Sequence, residues 1–379
     1  MTEFQPSKLG LISAILQSNV DKKSKPDEPA VELCNYTDVY YNDTITADLD
    51  FMKATASPDQ IERLRLSEGD VIITKDSETA DDIGIPAYVE STHDSLVCGY
   101  HLTILRAHPQ KAFPKFLYYS MLTREAGEYW EKRANGVTRV SIPQQVVSSL
   151  TIPLPNLETQ HRIADYLDKE ISEMDALIAE FEGLVASLGS RRRVYAANLV
   201  HNDKYPLVPL STIVSMNSGD SISSDAIKEI DDYPVYGGNG LRGYTNSFNN
   251  ETERILIGRQ GALCGNVHRV RPNFFATEHA LVVKPKREVN LIWLEHALRE
   301  MNLGELSTSV AQPGITATKV LFQRIQLPPL EEQDDIARRL QEENAEMDSL
   351  IEESTRLIEN LKARKTALIT EVVTGRKEV

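Results

Sequence analysis

The sequence predicts an α/β (α+β) fold present in two copies: two mixed α/β domains, each followed by a long helix, with the two helices packed on each other. The first observation behind this prediction is an internal repeat. The segment PLPNLETQHRIADYLDKEISEMDALI (153–178) aligns without a gap with QLPPLEEQDDIARRLQEENAEMDSLI (326–351), an offset of 173 residues. A repeat of this length indicates a duplicated structural unit.

The second observation is that the same kinds of elements occur in the same order in both halves. Short β-rich runs alternate with turn residues and helical stretches, which is typical of mixed α/β domains. The runs are DVIIT (70–74), HLTIL (101–105) and the helical FPKFLYYSMLTREAGEYWEKRA (113–134), then RILIG (254–258), HALVV (279–283) and the helical LIWLEHALREM (291–301). We therefore predict four segments: a first α/β domain (1–152), a first long helix (153–203), a second α/β domain (204–325), and a second long helix with the C-terminal tail (326–379).

The third observation is a heptad pattern of apolar residues in both long helices, which predicts a helix-pair interface. Each helix would run about 40 residues, roughly 60 Å at 1.5 Å per residue. Asn344 and Ser354 interrupt the second seam; Asn344 either fixes the register of the pair or faces a wet gap. The interface is predicted to consist of Leu167, Ile171, Met174, Ile178, Phe181, Val185, Leu188, Leu340, Asn344, Met347, Ile351, Ile358 and Leu361.

Composition limits the class of protein. The chain has 379 residues, of which 41% are hydrophobic and 26% charged, so wholesale disorder is excluded. The cysteines, Cys34, Cys98 and Cys264, are far apart and form no CxxC, which excludes a disulfide framework and a thiolate zinc site. We see no signal peptide and no apolar run of about 18 residues, so we expect a cytoplasmic protein that does not span a membrane.

The net charge of −15 is unevenly distributed along the chain. Residues 1–100 carry 8 basic and 19 acidic side chains, net −11, whereas residues 101–156 carry 7 and 3, net +4. Residues 207–329 carry 12 of each sign, net 0. This segregation permits a DNA-binding surface on residues 101–156 and 207–329 without demonstrating one.

Motifs of catalysis are missing from the sequence. There is no GxxxxGK[ST] phosphate loop, no HExxH and no GxSxG. His101 and His279 occupy equivalent positions at the start of apolar runs; a structural role at a strand end is favoured over a metal or acid–base role. We accordingly predict no catalytic, cofactor-binding or metal site in this chain.

One glycine-rich segment, VYGGNGLRGYT (235–245), matches the sequence pattern of a dinucleotide-binding loop, because Gly238, Gly240 and Gly243 fit GxGxxG. Such a loop must open a helix and be followed about 20 residues later by an acidic residue for the ribose. The segment YTNSFNN (244–250) is a poor helix start, and residues 258–268 contain no Asp or Glu. We interpret the segment as a tight turn with Arg242 near its tip.

Polar loops in both halves carry the residue types that contact DNA. Arginine recognises guanine, glutamine and asparagine recognise adenine, and hydroxyl groups reach phosphates or bases. An exposed polar loop is also commonly just solvated, so the hypothesis gains weight from the same loop type recurring in both halves. The candidate DNA-binding residues are Lys75, Thr138, Arg139, Ser141, Arg242, Tyr244, Arg259, Gln260, Thr316, Thr318 and Lys319.

The chain resembles the specificity subunit of type I restriction–modification systems. The resemblance rests on IPLPNLETQ (152–160) and IQLPPLEEQ (325–333), each leading into a heptad helix, and on PLVPLSTIVSMNSG (206–219), PVYGGNGLRGY and ILIGRQGALCG in the second half. It implies two target recognition domains, each recognising half of a split DNA site. It further implies an antiparallel helical spacer that relates the two domains by a pseudo-twofold arrangement. The first 100 residues fit it least well.

The resemblance also implies partners. The helices would bind two methyltransferase subunits, which carry S-adenosylmethionine, and restriction subunits using ATP and Mg²⁺ would join through that core. The chain itself would be non-catalytic and would bind double-stranded DNA with a bipartite site. The alternatives are a coiled-coil scaffold whose globular domains bind proteins, and a nucleotide-dependent enzyme using the 238–243 loop.

Overall fold

Two helices of 44 residues each, Leu157–Val200 and Leu330–Val373, run through the protein. The computed structural model describes residues 4–307 and 313–379. It forms two units, one ending at Phe181 and including Arg356–Val379, the other covering Glu182–Thr355. Each helix therefore contributes one part of its length to each unit.

The first unit is built around a five-stranded sheet of order β2-β10-β6-β8-β4. Its strands are β1 (Gln5–Lys8), β2 (Ser13–Gln17), β3 (Ala30–Cys34), β4 (Thr44–Ile45), β5 (Met52–Thr55), β6 (Val71–Thr74), β7 (Asp76–Ser77), β8 (Pro86–Val89), β9 (Leu96–Cys98), β10 (Leu102–Ala107), β11 (Val140–Ser141) and β12 (Thr151–Leu154). A three-stranded sheet, β5-β3-β9, and the pairs β1-β12 and β11-β7 surround it. Its helices are α1 (Leu9–Ile12), α2 (Tyr36–Tyr40), α3 (Pro58–Leu64), α4 (Pro114–Met121), α5 (Arg124–Glu131), α6 (Gln144–Ser149) and the first part of α7 (Leu157–Val200), with a 3-10 turn at Ala80–Asp82.

The second unit has a smaller central sheet of order β14-β20-β17-β18. Its strands are β13 (Leu207–Pro209), β14 (Val214–Ser218), β15 (Tyr233–Gly237), β16 (Gly240–Thr245), β17 (Arg254–Gly258), β18 (Val267–Val270), β19 (Phe275–Ala276), β20 (Ala280–Pro285) and β21 (Arg324–Gln326). The sheet β16-β15-β19 and the pair β13-β21 complete it. Its helices are α8 (Leu291–Glu300), α9 (Ala317–Leu321) and the first part of α10 (Leu330–Val373), with 3-10 turns at Leu210–Thr212, Ser224–Ala226 and Leu303–Leu306.

The duplication is visible in the sheets. In both units one strand, β10 or β20, pairs antiparallel with the second strand of the domain, β2 or β14, and with the strand that precedes Lys75 or Arg259, β6 or β17. The predicted fold class, two α/β domains with two long helices, is confirmed. The helix predicted over 113–134 is instead two helices, α4 and α5, because the Thr123 hydroxyl accepts a hydrogen bond from the Ala126 amide and so caps a new helix start.

A buried glutamine fastens the start of each long helix to its domain. The Gln160 Oε1 atom accepts a hydrogen bond from the Phe113 amide (2.8 Å), and its Nε2 donates to the Pro155 carbonyl (2.8 Å). Gln333 does the same with the Asn290 amide (3.0 Å) and the Pro328 carbonyl (2.9 Å). Both glutamines are almost fully buried, so each bond satisfies a polar group that has no access to water.

The predicted seam residues lie on the inner side of the helices. Leu167, Ile171, Met174, Ile178, Leu188, Leu340, Met347 and Ile358 are buried, and Phe181, Val185, Asn344, Ile351 and Leu361 are half-buried. In the first unit the Lys365 ammonium contacts Asp175 (2.9 Å), and in the second the Arg192 guanidinium contacts Asp348. An early residue of one helix thus meets a late residue of the other in each unit, so the helices are antiparallel.

The Asn344 position is half-buried, and its backbone carbonyl accepts a hydrogen bond from the Arg192 guanidinium (3.5 Å). Ser354, the other interruption of the seam, is buried. The second seam therefore has polar groups at two of its inner positions, and the Arg192 side chain lies across the helix pair at one of them.

Three further properties concern the described residues only. Cys34, Cys98 and Cys264 are free and buried. Within residues 4–307 and 313–379, no cluster of three or more His, Cys, Asp or Glu side chains is placed to hold a metal ion. Over the same residues, no helix is long and apolar enough to cross a membrane.

Candidate nucleic-acid interface

Each unit places a basic residue directly after a central strand, in the same backbone hydrogen-bond pattern. Lys75 follows β6, its amide donates to the His101 carbonyl (2.9 Å), and its carbonyl accepts from the Ile142 amide (2.8 Å). Arg259 lies at the end of β17, its amide donates to the His279 carbonyl (2.8 Å), and its carbonyl accepts from the Ile315 amide (2.9 Å). The polar segments GVTRVS (136–141) and GITATK (314–319) therefore lie against the same strand end in both domains.

The next residue along the chain pairs with the histidine that begins the central strand. In the first unit the Nδ1 atom of His101 lies 2.9 Å from the Oδ2 atom of Asp76. In the second, the Nδ1 atom of His279 lies 2.9 Å from the Oε1 atom of Gln260. We name these two arrangements the strand-end pairs, Asp76–His101 and Gln260–His279. They give the two histidines a shared structural role, as the sequence favours.

The Lys75 side chain is turned toward its own domain. Its Nζ atom donates to the Ser18 carbonyl (2.9 Å) and lies 4.5 Å from the centre of the Tyr100 ring. Burial lowers the pKa of the Lys75 ammonium, and the nearby Asp76 carboxylate raises it in part. The exposed group at this position is the Tyr100 ring, which is 49% accessible.

The basic groups of the second unit are arranged similarly. The Arg259 guanidinium donates to the Ser218 hydroxyl (3.0 Å) and the Glu278 carbonyl (3.4 Å), and Lys319 donates to the Leu306 carbonyl (3.1 Å). The Thr316 hydroxyl accepts a hydrogen bond from the Lys319 amide (3.3 Å), which caps α9. These groups therefore position the loop, whereas Gln260 and Thr318 are exposed to solvent.

The loop of the first unit presents Thr138 and Arg139 to solvent, with Ser141 half-buried. Ser141 and Asn135 exchange backbone hydrogen bonds (2.9 and 2.8 Å), which closes the loop into a tight turn. Gly136 has φ +147°, and a Cβ there would lie 1.9 Å from the Arg139 carbonyl oxygen, so only glycine fits. The turn fixes the backbone position from which the Arg139 side chain extends.

The glycine-rich segment 235–245 is a β-hairpin formed by β15 and β16, with a bulge at Val235/Tyr236. Gly240 and Gly243 lie within strand β16, so the helix needed by a dinucleotide site is absent from this hairpin. A Cβ on Gly238 would lie 2.8 Å from the His279 carbonyl oxygen, so the hairpin packs against the strand-end pair of this unit. Arg242 is exposed and Tyr244 half-buried.

Asp76, His101, His279 and Tyr100 are missing from the candidate residues selected on the sequence. Asp76 is the counterpart of Gln260, which was selected, and an alignment of the two halves around GDVIITKD (69–76) and ERILIGRQ (253–260) places them together. The internal repeat therefore indicates Asp76 as a candidate once Gln260 is selected. The histidine partners lie 25 and 19 residues further along the chain, and local sequence gives no indication of such a contact.

Comparison with known proteins places these features in a family. The family model described as the type I restriction modification DNA specificity domain matches residues 1–180 and 202–360. The chain is 32% identical over 273 residues to the type I restriction enzyme EcoprrI specificity subunit of Escherichia coli, covering 68% of this chain and 67% of that protein. It is 25% identical to the putative type I restriction enzyme MjaX specificity subunit of Methanocaldococcus jannaschii, covering 85% and 81% of the two chains.

Solved structures show the same fold. A chain from a structural study of complex assembly and conformational transition of the type I R-M system superposes with a TM-score of 0.79 at 17% identity, covering 99% of this chain and 98% of that one. The HsdS subunit from Thermoanaerobacter tengcongensis gives a TM-score of 0.55 at 17% identity, covering 99% and 97%.

Proposed function

Because the chain belongs to the family of type I restriction–modification DNA specificity proteins, we propose that it is the DNA sequence-specificity subunit of a type I restriction–modification complex. Each α/β domain recognises one half of a bipartite double-stranded DNA site. The two long helices set the spacing between the half-sites and dock two methyltransferase subunits. The chain itself carries out no catalytic step and acts in the cytoplasm.

The observation that carries this proposal is the duplicated strand end. Both units present a polar loop, a basic residue and a strand-end pair through the same backbone hydrogen bonds, yet the side chains differ, with Asp76 in one and Gln260 in the other. Two domains with the same backbone arrangement but different side chains suit a DNA site whose two halves have different sequences. Side chains on rigid elements are held precisely enough for base recognition.

The helices support the role of a spacer. Each has 44 residues, hence a length of about 66 Å at 1.5 Å per residue. One turn of B-DNA is about 34–36 Å. A helix pair of that length therefore suits two half-sites separated by base pairs that the protein leaves unread.

Exposed leucines on the helices support docking of two methyltransferase subunits. Leu177 and Leu357 in the first unit, and Leu184 and Leu350 in the second, are 37–44% accessible. Leu177 and Leu350 are equivalent in the repeat, as are Leu184 and Leu357. Each unit thus offers one leucine from each helix, and a duplicated apolar surface fits two copies of one partner.

The proposed complex assigns the cofactors to its other subunits. S-adenosylmethionine would bind the methyltransferase subunits, and ATP and Mg²⁺ would bind restriction subunits that join through the same core. We assign no cofactor or metal to this chain. Purified without partners, it is expected to neither methylate nor cleave DNA.

Mapping methylated adenines in a genome that carries the intact system tests the proposed function. We expect one split motif, with two defined half-sites and a constant number of unspecified base pairs between them, and its loss when this chain is deleted. A methylation pattern that is independent of the chain would contradict the proposal. If the globular domains bind proteins instead, the chain with its methyltransferase would not shift a duplex that contains the mapped motif.

A further inference from the structure

We propose that the strand-end pairs are specificity determinants with opposite hydrogen-bonding character in the two domains. Asp76–His101 presents an acceptor to the DNA, and Gln260–His279 presents donors. The first domain would then select a base with an exocyclic amino group at this position, and the second a base with an acceptor edge. This inference rests on the proposed function and deepens it, because it names the base class that each domain selects.

The protonation of the first pair follows from its chemistry. A carboxylate only accepts hydrogen bonds, so the Nδ1 atom of His101, 2.9 Å from the Asp76 Oδ2 atom, must donate. Two carboxylate oxygens offer about four acceptor positions, and the histidine occupies one. In the major groove the groups that donate to a carboxylate are the N4 amino group of cytosine and the N6 amino group of adenine.

The second pair has the reverse character. The Gln260 Oε1 atom faces the Nδ1 atom of His279 at 2.9 Å, so the histidine donates and the amide oxygen is engaged. Gln260 is exposed, which leaves the two N–H groups of its amide available as donors. Donors match the N7 and O6 atoms of guanine or the O4 atom of thymine.

The backbone on both sides of each pair is fixed. In the first unit β7 and β11 pair Asp76 with Ser141, and in the second an isolated bridge joins Gln260 to Gly314. The Gly238 hairpin also packs against the second pair. A strand-end pair held in this way loses little conformational freedom when DNA binds. It therefore cannot easily shift to avoid a mismatched hydrogen bond with the wrong base.

The decisive experiment uses the complex assembled with its methyltransferase subunits and selects binding sites from a randomised duplex library. The Gln260→Glu variant replaces the amide donors by acceptors of nearly the same shape. We expect one position of one half-site to change from guanine or thymine to cytosine or adenine, with affinity for the original site reduced about tenfold or more. The other half-site stays as it is.

Three further variants and a control complete the test. Asp76→Asn is expected to change one position in the opposite half-site. His279→Leu should relax the preference at the Gln260 position, whereas His279→Asn, whose amide can donate like Nδ1–H, should restore it; this marks His279 as a positioning residue. Thr252→Ala, an exposed threonine just before the opposite end of β17, is the matched control and should leave that position unchanged.

The outcomes separate this inference from the proposed function. If Gln260→Glu and Asp76→Asn complexes select the wild-type motif with wild-type affinity, the inference is overturned while the proposed function stands. The same holds if both changes fall in one half-site. If the wild-type complex selects no split motif, the proposed function itself fails. Thermal melting of each variant complex confirms that the subunit is folded.

Discussion

Single cationic side chains in the loops fall into two groups. Lys75, Arg259 and Lys319 donate to groups of their own domain, whereas Arg139 and Arg242 are exposed. Their sequence contexts are alike, since each stands beside a glycine or a hydroxyl residue. Lys75 and Arg259 each follow a central strand and so reach groups at the ends of β2 and β14, whereas Lys319 lies on α9 and reaches the Leu306 carbonyl.

Arg242→Ala is expected to weaken binding of the assembled complex to target and unrelated duplexes alike. Arg242 is exposed on β16, two residues past the turn that Gly237 and Gly240 close, and we expect it to contact a phosphate. Such contacts contribute without regard to sequence. The slope of log affinity against log salt should fall by about one, with no change in melting temperature. Titration at several salt concentrations checks this. Arg287→Ala, an exposed arginine beyond the far end of β20, is the control, and equal losses in both variants would contradict the prediction.

At the scale of elements, periodicity and repetition predicted more than local chemistry did. The heptad positions are buried or half-buried in both helices, and the repeat predicted matching strands, since both patterns follow directly from backbone geometry. The split between α4 and α5 at Thr123 and the hydrogen bonds of Gln160 were not predicted. Gln160 contacts the Phe113 amide 47 residues earlier in the chain, and a sequence pattern does not encode which distant amide needs a partner.

Gln333→Leu tests the role of the buried glutamines. The change leaves the Asn290 amide and the Pro328 carbonyl without their partners in a buried position. Each unsatisfied group costs about 1–3 kcal/mol, so the melting temperature of the chain should fall by several degrees. Gln341→Leu, on the exposed face of the same helix, is the matched control and should shift it little. Similar melting temperatures for the two variants would show that the hydrogen bonds of Gln333 contribute nothing to stability.

At the scale of the whole molecule, the duplication explains why neither half of the chain would recognise the whole DNA site. Each unit contains one strand-end pair and one part of each long helix. The proposed function divides accordingly: domain side chains determine the half-site sequences, and the helices determine their spacing. Replacing residues 204–325 by the corresponding domain of a relative would then change one half-site only, which methylation mapping would show.

The length of the helix pair gives the last prediction. Inserting one heptad after Phe181 and one after Thr355 keeps the a/d phase of both seams and lengthens each helix by about 10 Å. Because base pairs along one strand are about 3.4 Å apart, the unread spacer of the methylated motif should grow by about three base pairs, while both half-site sequences stay the same. Insertion of seven residues in one helix only is the control, since it places the seams out of register and should abolish methylation. A motif with altered half-site sequences, or with its original spacing, would show that the helices do not determine the spacing.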